Sequence, residues 1–167
     1  RMLLETVARV RDALPQTVLI VRLSCTEYVA GGYGEEDIVM VSQALQHAGV
    51  DALDLSGGSN ESPQLSKYCI QPPSFARGML APYAKPIKHA VSIPCFVAGR
   101  IVDPGDAEAV LASQSADYIS LGRALYADAH WCRKAFGDLA TPIRKCIACN
   151  ICFERLTLEK DVACVTN

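Results

Sequence analysis

Thr17-Val-Leu-Ile-Val-Arg-Leu23 decides the reading of this chain. The run is β-branched and almost wholly apolar, the pattern of a parallel strand covered on both faces. Upstream, Met2, Leu3, Val7, Val10 and Leu14 fall at helical spacing, and Pro15 stops that helix. Downstream, a glycine-rich loop runs to Gly34. Glu35–His47 then reads as an amphipathic helix with acidic residues in its first turn, closed by Gly49. The pattern repeats. Ala52–Leu55, Ile93–Ala98 and Tyr118–Leu121 are further strands. Helices are expected at Ala84–Val91, at Pro104–Ser113 with Asp103 as N-cap, and in shorter form within Ala124–Phe136. Ser56 to Pro82 reads as a long loop, a length that points to function or to local structure.

Strands alternating with helices make a parallel sheet. Two architectures fit: half of a (βα)8 barrel or a small doubly wound sheet. No Gly-x-Gly-x-x-Gly follows any strand, which counts against a dinucleotide fold. Ser24, Ser56-Gly57-Gly58, Gly99-Arg100 and Gly122-Arg123 all fall just past strand ends, where parallel α/β folds bind ligands.

The chain has 167 residues, 50% of them apolar, with a formal charge of −2. That is one domain's worth of chain with material for a core. Lysines and arginines are scattered, so charge gives no case for nucleic acid or an anionic membrane. No apolar run reaches the ~18 residues of a membrane span. Met2 opens a charged helix pattern rather than a signal peptide. A reducing cytoplasm suits the cysteines better than a disulfide framework. Four of the eight (Cys25, Cys69, Cys95 and Cys132) are spread singly, and Cys95 reads as a small buried hydrophobe.

The other four are gathered at the end. Cys146, Cys149 and Cys152 stand three residues apart, and Cys164 follows after eleven more. Four soft sulfur ligands suit tetrahedral zinc or an iron–sulfur cluster. Three close ligands and one distant ligand resemble the cubane habit more than the paired spacing of zinc sites; unliganded thiols are the third alternative. From Thr141 on there is no helix or strand period, so this stretch reads as an appended binding segment. Arg144, Lys145 and Arg155 either offset thiolate charge or are ordinary solvated cations.

Arg100 and Arg123 each follow a strand and a glycine. A glycine lets backbone N–H groups approach an anion, and the arginine adds a forked grip. Barrels often bind phosphate after their last two strands. The alternative is surface ion pairing with Asp103 and Asp128. Arg22 lies inside an apolar strand, either facing an anionic ligand or paired with a strand carboxylate such as Asp54. His47, His89 and His130 do not cluster and read as solvated or dipole-compensating residues. Tyr28, Tyr33 and Tyr68 read as loop packing.

Taken together, ValArgLeuSer at 21–24, GlyValAspAlaLeuAspLeuSerGlyGly at 49–58, AlaGlyArgIle at 98–101, AlaAspTyrIleSerLeuGlyArgAlaLeu at 116–125 and the cysteine tail resemble the Old Yellow Enzyme superfamily. The likeness is to its iron–sulfur branch: 2,4-dienoyl-CoA reductase, enoate reductase and trimethylamine dehydrogenase. The second cysteine gap is nearer the last of these. The resemblance implies the C-terminal half of a TIM barrel, strands five to eight, over residues 1–140, and a 4Fe–4S segment over 141–167. It implies that Arg22 lies by the flavin N1/O2 edge. It also implies that Ala98, Gly99, Arg100, Leu121, Gly122 and Arg123 hold FMN, and that Cys146, Cys149, Cys152 and Cys164 ligate the cluster.

The implied parent is an oxidoreductase that takes NAD(P)H-derived electrons through the cluster to FMN and reduces activated C=C bonds. Its proton-donating tyrosine and its substrate-gripping His/Asn or His/His pair belong to the other half of the barrel, so no catalytic acid is expected in this chain. FAD- and NAD(P)H-binding domains would follow the fourth cysteine. On this reading the chain is a fragment, lacking further domains at both ends, and its sheet edges call for the missing half-barrel or self-association. Two rivals remain: an amine dehydrogenase or demethylase of the same family passing electrons outward, and a non-catalytic zinc module.

Overall fold

The computed structural model describes residues 1–60 and 63–167. The elements run α1 (Met2–Ala13), β1 (Ile20–Ser24), α2 (Glu35–His47), β2 (Ala52–Ser56), α3 (Pro63–Cys69), α4 (Ala81–Ala90), β3 (Cys95–Val97), α5 (Pro104–Ala112), β4 (Tyr118–Ile119), α6 (Arg123–Ala127), α7 (Trp131–Ala135) and α8 (Ile151–Thr157). The four strands form one parallel sheet in the order β1-β2-β3-β4. Sequence order equals spatial order, as in successive units of a barrel. A doubly wound sheet would reverse direction at a switch point. The half-barrel reading therefore holds.

Local chemistry explains the element ends. At α2, the N–H of Gly34 donates to Asp37 Oδ2 at 3.0 Å. At α5, Asp103 Oδ1 accepts from the Asp106 N–H at 3.2 Å and Asp106 Oδ2 accepts from the Asp103 N–H at 3.0 Å. This reciprocal cap satisfies two orphan donors, and Pro104 stands at the first helical position.

The core lies between the sheet and the helices of its convex face. Leu45 of α2, Leu53 and Leu55 of β2, Leu80, Ile87 of α4 and Val97 of β3 are sealed from solvent. Leu53 faces Val21 on one side and Cys95 on the other. Cys95 is fully buried, as its setting in an apolar run suggested.

Two expectations need correction, and a third, local structure within the long loop, holds. The first strand is shorter than Thr17–Leu23 and is not covered on both faces: Val18 is 70% exposed and Ile20 49%. Among the described residues it pairs with β2 alone, and its exposed residues alternate with covered ones, so one face of the strand meets water. The stretch after Thr141 is not devoid of helix, since α8 follows Asn150. The loop from Ser56 to Pro82 carries α3, although residues 61 and 62 of that loop lie outside the described residues. Gly58 locks that excursion. At φ +89° a Cβ there would meet the Cys69 nitrogen at 2.7 Å and the Tyr68 carbonyl carbon at 2.8 Å. Among the described residues no helix is long and apolar enough to cross a membrane.

Candidate functional site

The carboxyl ends of the strands open onto a cleft of about 290 Å³. Arg22, Ala98, Gly99, Arg100, Leu121, Gly122 and Arg123 all line it, and so do Cys146 and Cys152 of the tail. The strand-end residues and the cysteine segment therefore meet in one place. Cys149 and Cys164 do not line the cleft. Cys149 is exposed.

The three arginines are held differently. Arg22 pairs with Asp54 directly across the β1–β2 register, and its Nη2 donates to Ser56 Oγ at 3.1 Å. Ser120 Oγ of the β4 end donates to Asp54 Oδ1 at 2.7 Å, so one carboxylate ties three strand ends together. Arg22 is thus paired with a strand carboxylate and also half-exposed toward the cleft.

Arg100 stands at φ +56°, a left-handed conformation that is costly for a bulky residue. One of its nitrogens donates to the Phe75 carbonyl. Its Nε is buried with no acceptor among the described residues. A buried guanidinium N–H without a partner, on a side chain that lines a cleft, suits an anion. Arg123 donates through Nη1 to the Gln71 carbonyl at 2.7 Å and to Asn150 Oδ1. Burial lowers its pKa, while negative charge on Cys146 and Cys152 opposes that shift.

Neither Asp103 nor Asp128 serves these arginines. Asp103 takes Arg77 at 2.7 Å and Lys145 at 2.9 Å. Asp128 is fully buried; it takes Lys134 at 2.6 Å and the N–H groups of His130 at 3.0 Å and Arg144 at 2.9 Å. The Lys134 bond, then the Arg144 N–H, holds its pKa down to about 2. Lys134 also donates to the Pro142 carbonyl at 3.0 Å. Of the three cations expected near the cysteines, Lys145 is thus engaged with Asp103, and Arg155 donates to the Asp161 carbonyl at 2.6 Å.

The cysteine segment is shaped by its backbone. Ala148 at φ +57° and Asn150 at φ +62° flank Cys149, two left-handed residues turning the chain around one thiol. The Ala148 N–H donates to Cys146 Sγ at 3.3 Å. Burial raises the Cys152 pKa. Burial also opposes ionisation of Cys164, but hydrogen bonds from Thr166 outweigh it and lower its pKa. Among the described residues no three His, Cys, Asp or Glu side chains close on a common metal position. The donor chemistry, four sulfurs on one short segment beside a guanidinium, still suits a soft-ligand centre.

Tyr28 and Tyr68 pack as expected of loop tyrosines, whereas Tyr33 is 59% exposed and does not. Tyr28 stacks on Tyr68 at 4.1 Å, and Phe75 meets Tyr68 edge-on at 5.2 Å. His47 bonds the Gln43 carbonyl at 2.7 Å at the end of α2. Gln71, Asn150 and Ser120 are site residues that the reading of motifs did not single out. Asn150 had a signal, because asparagine is enriched among non-glycine residues in the left-handed region. Gln71 had none, since it contributes a backbone carbonyl brought in by tertiary folding.

The NADH:flavin oxidoreductase / NADH oxidase family model matches residues 1–141. The chain is 37% identical over 150 residues to the NADH oxidase of Thermoanaerobacter brockii, covering 89% of this chain and 22% of that protein. It is 34% identical over 131 residues to the cinnamate reductase of Clostridium sporogenes, covering 77% of this chain and 19% of that protein. The structure of a 2-naphthoyl-CoA reductase in complex with 2-naphthoyl-CoA superposes with a TM-score of 0.87 at 24% identity, over 99% of this chain and 25% of that one. The chain thus spans about a quarter of the length of the proteins it matches.

Proposed function

The chain belongs to the NADH:flavin oxidoreductase / NADH oxidase family, and from that membership we propose that it forms the FMN-phosphate side and cluster segment of an NAD(P)H-dependent reductase of activated C=C bonds. The observation that carries this reading is the buried, acceptor-less Nε of Arg100 in the cleft that Arg123 and the cysteine segment share. The likeness to a cinnamate reductase supports the substrate class.

The roles divide by residue. Arg100 and Arg123, with the backbone of Gly99 and Gly122, would take the phosphate. Arg22, steadied by Asp54 and Ser56, would put positive charge beside the ring. Ala98 and Leu121 line the same cleft and would pack against the cofactor. Cys146, Cys149, Cys152 and Cys164 would hold the 4Fe–4S cluster, with residues 1–140 as half-barrel and 141–167 as cluster segment. Bound there, FMN supplies hydride chemistry and the cluster supplies single-electron transfer. The proton donor to substrate would come from the other half of the barrel. That group, the FAD- and NAD(P)H-binding parts and the other four βα units belong to the remainder of the working enzyme. Reduced thiolate ligands favour a reducing cytoplasm.

An absorption spectrum of anaerobically purified protein, with iron, zinc and flavin quantified, tests the proposal. A broad band near ~400 nm with about four iron per chain and bound FMN is expected. A colourless protein holding one zinc and no flavin overturns it. Flavin reduced by an amine, rather than reoxidised by an enoate, reverses the electron flow and selects the amine dehydrogenase reading.

A further inference from the structure

One side chain of the cysteine segment bonds directly to an arginine of the cleft. Asn150 lies between Cys149 and Cys152. Its Oδ1 accepts from Arg123 Nη1, and its Nδ2 donates to the Ile70 carbonyl at 3.0 Å. Its own carbonyl accepts the first N–H groups of α8, from Phe153 at 3.0 Å and Glu154 at 2.9 Å. Its backbone at φ +62° makes the turn between the two cysteines. Arg123 Nη1 also reaches the Gln71 carbonyl at 2.7 Å, next in sequence to Ile70. Asn150 therefore pins the guanidinium, the chain after α3 and the start of the helix that carries Cys152.

We propose that Asn150 is a positioning residue that couples the anion site to the cysteine site, so that FMN binding at Arg123 and iron loading at the cysteines reinforce each other. The proposal rests on the flavin-and-cluster reading above. Its physical basis is shared ordering. A phosphate on Arg123 fixes the guanidinium, which fixes the Asn150 carboxamide and with it the turn from Cys149 to Cys152. A metal on the cysteines fixes the same turn from the other end. Whichever ligand arrives second finds its partner group already ordered, and by linkage the two effects are equal in size.

Asn150 suits this role as other residues would not. Its carboxamide presents an acceptor and a donor at once. Asparagine also tolerates the left-handed conformation better than most side chains do. Substitution can separate the two properties. N150G keeps the backbone angle without strain but has no carboxamide. N150A lacks the carboxamide and is strained at that angle.

The test titrates FMN by fluorescence quenching into the purified protein, before and after anaerobic reconstitution with iron and sulfide, with iron counted per chain. In the wild type, loading iron is expected to tighten FMN binding about fivefold. In N150G the FMN dissociation constant rises about tenfold and the effect of iron disappears. R123K, which keeps the charge but not the planar fork, abolishes the coupling from the other end. R123M combined with N150G binds FMN no more weakly than R123M alone. N150A retains less iron than N150G. A wild type in which iron leaves FMN affinity unchanged overturns the inference, as does an N150G that keeps the wild-type coupling or losses that add in the double variant. A wild type that takes up neither iron nor flavin overturns the functional reading, and this inference with it. Binding of both ligands without coupling overturns this inference alone.

Discussion

Arg100 combines two costs, a left-handed backbone and a buried N–H without an acceptor. Costs of this kind persist where the surrounding structure enforces them, and they concentrate at ligand sites. Arg100→Met should weaken FMN binding roughly tenfold to a hundredfold, the value of a charge-assisted hydrogen bond, while leaving the melting temperature close to wild type or higher. Equal affinity in that variant would remove Arg100 from the site. Asp128 gives a pH prediction. Its carboxyl titrates at about 2 in the folded chain and near 3.9 when unfolded. A depressed pKa stabilises the fold fully above about pH 4, and that contribution is lost as pH falls toward 2. Urea unfolding between pH 5 and pH 2.5 should show stability declining, with a shallower decline in Asp128→Asn. At this scale the sequence was readable for charge and poorly readable for partners. Arg22 with Asp54 could be foreseen because a charge in an apolar strand needs a neighbour. Gln71 and Phe75 could not, because they serve through backbone carbonyls delivered by distant folding.

Strands and long helices showed plainly in the sequence because their signals are local. A run of β-branched residues, an acidic first turn and the Asp103-Pro104 cap each act within a few positions. The short elements did not show. The seven-residue α8 begins at a left-handed Asn150 that is itself tied to Arg123 and Ile70, so its start is set by tertiary contact. β2 carries more buried residues than any other strand among the described residues. Leu53→Ala should lower the free energy of unfolding by about 2–5 kcal/mol in a denaturant titration, since Leu53 has no solvent exposure and sits between two strands. Stripping metal from the reconstituted protein with a chelator should leave the far-ultraviolet circular dichroism nearly unchanged. It should also speed proteolytic cleavage within residues 141–167. Cleavage spread evenly along the chain would instead mean that tail and sheet unfold together.

For the molecule as a whole, the open sheet is the governing fact. β1 and β4 each pair on one side only among the described residues, with Ile20 49% and Tyr118 54% exposed. Unpaired parallel edges with apolar side chains are templates for further pairing. The isolated chain should associate as its concentration rises in sedimentation velocity, and Ile20→Lys should shift it toward monomer. An unchanged distribution would show that β1 is not the contact. The parallel sheet followed from the βα alternation, which left a half-barrel and a doubly wound sheet open until the strand order was seen. The solvent-facing edges did not, because an apolar strand reads alike whether its second face meets helices or another half of a barrel.

The buried Asp128 carries an implication for the tail. It accepts from the Arg144 N–H of the tail while it also accepts from Lys134 of α7 and from the His130 N–H between α6 and α7. One buried carboxylate thus ties the start of the final stretch to the corner after the last strand, alongside the separate ties of Lys145 to Asp103 and of Asn150 to Arg123 and Ile70. The cysteines of that stretch are therefore presented from a chain clamped at its root, so a change at one buried carboxylate would be felt at sulfurs that lie well beyond it in sequence.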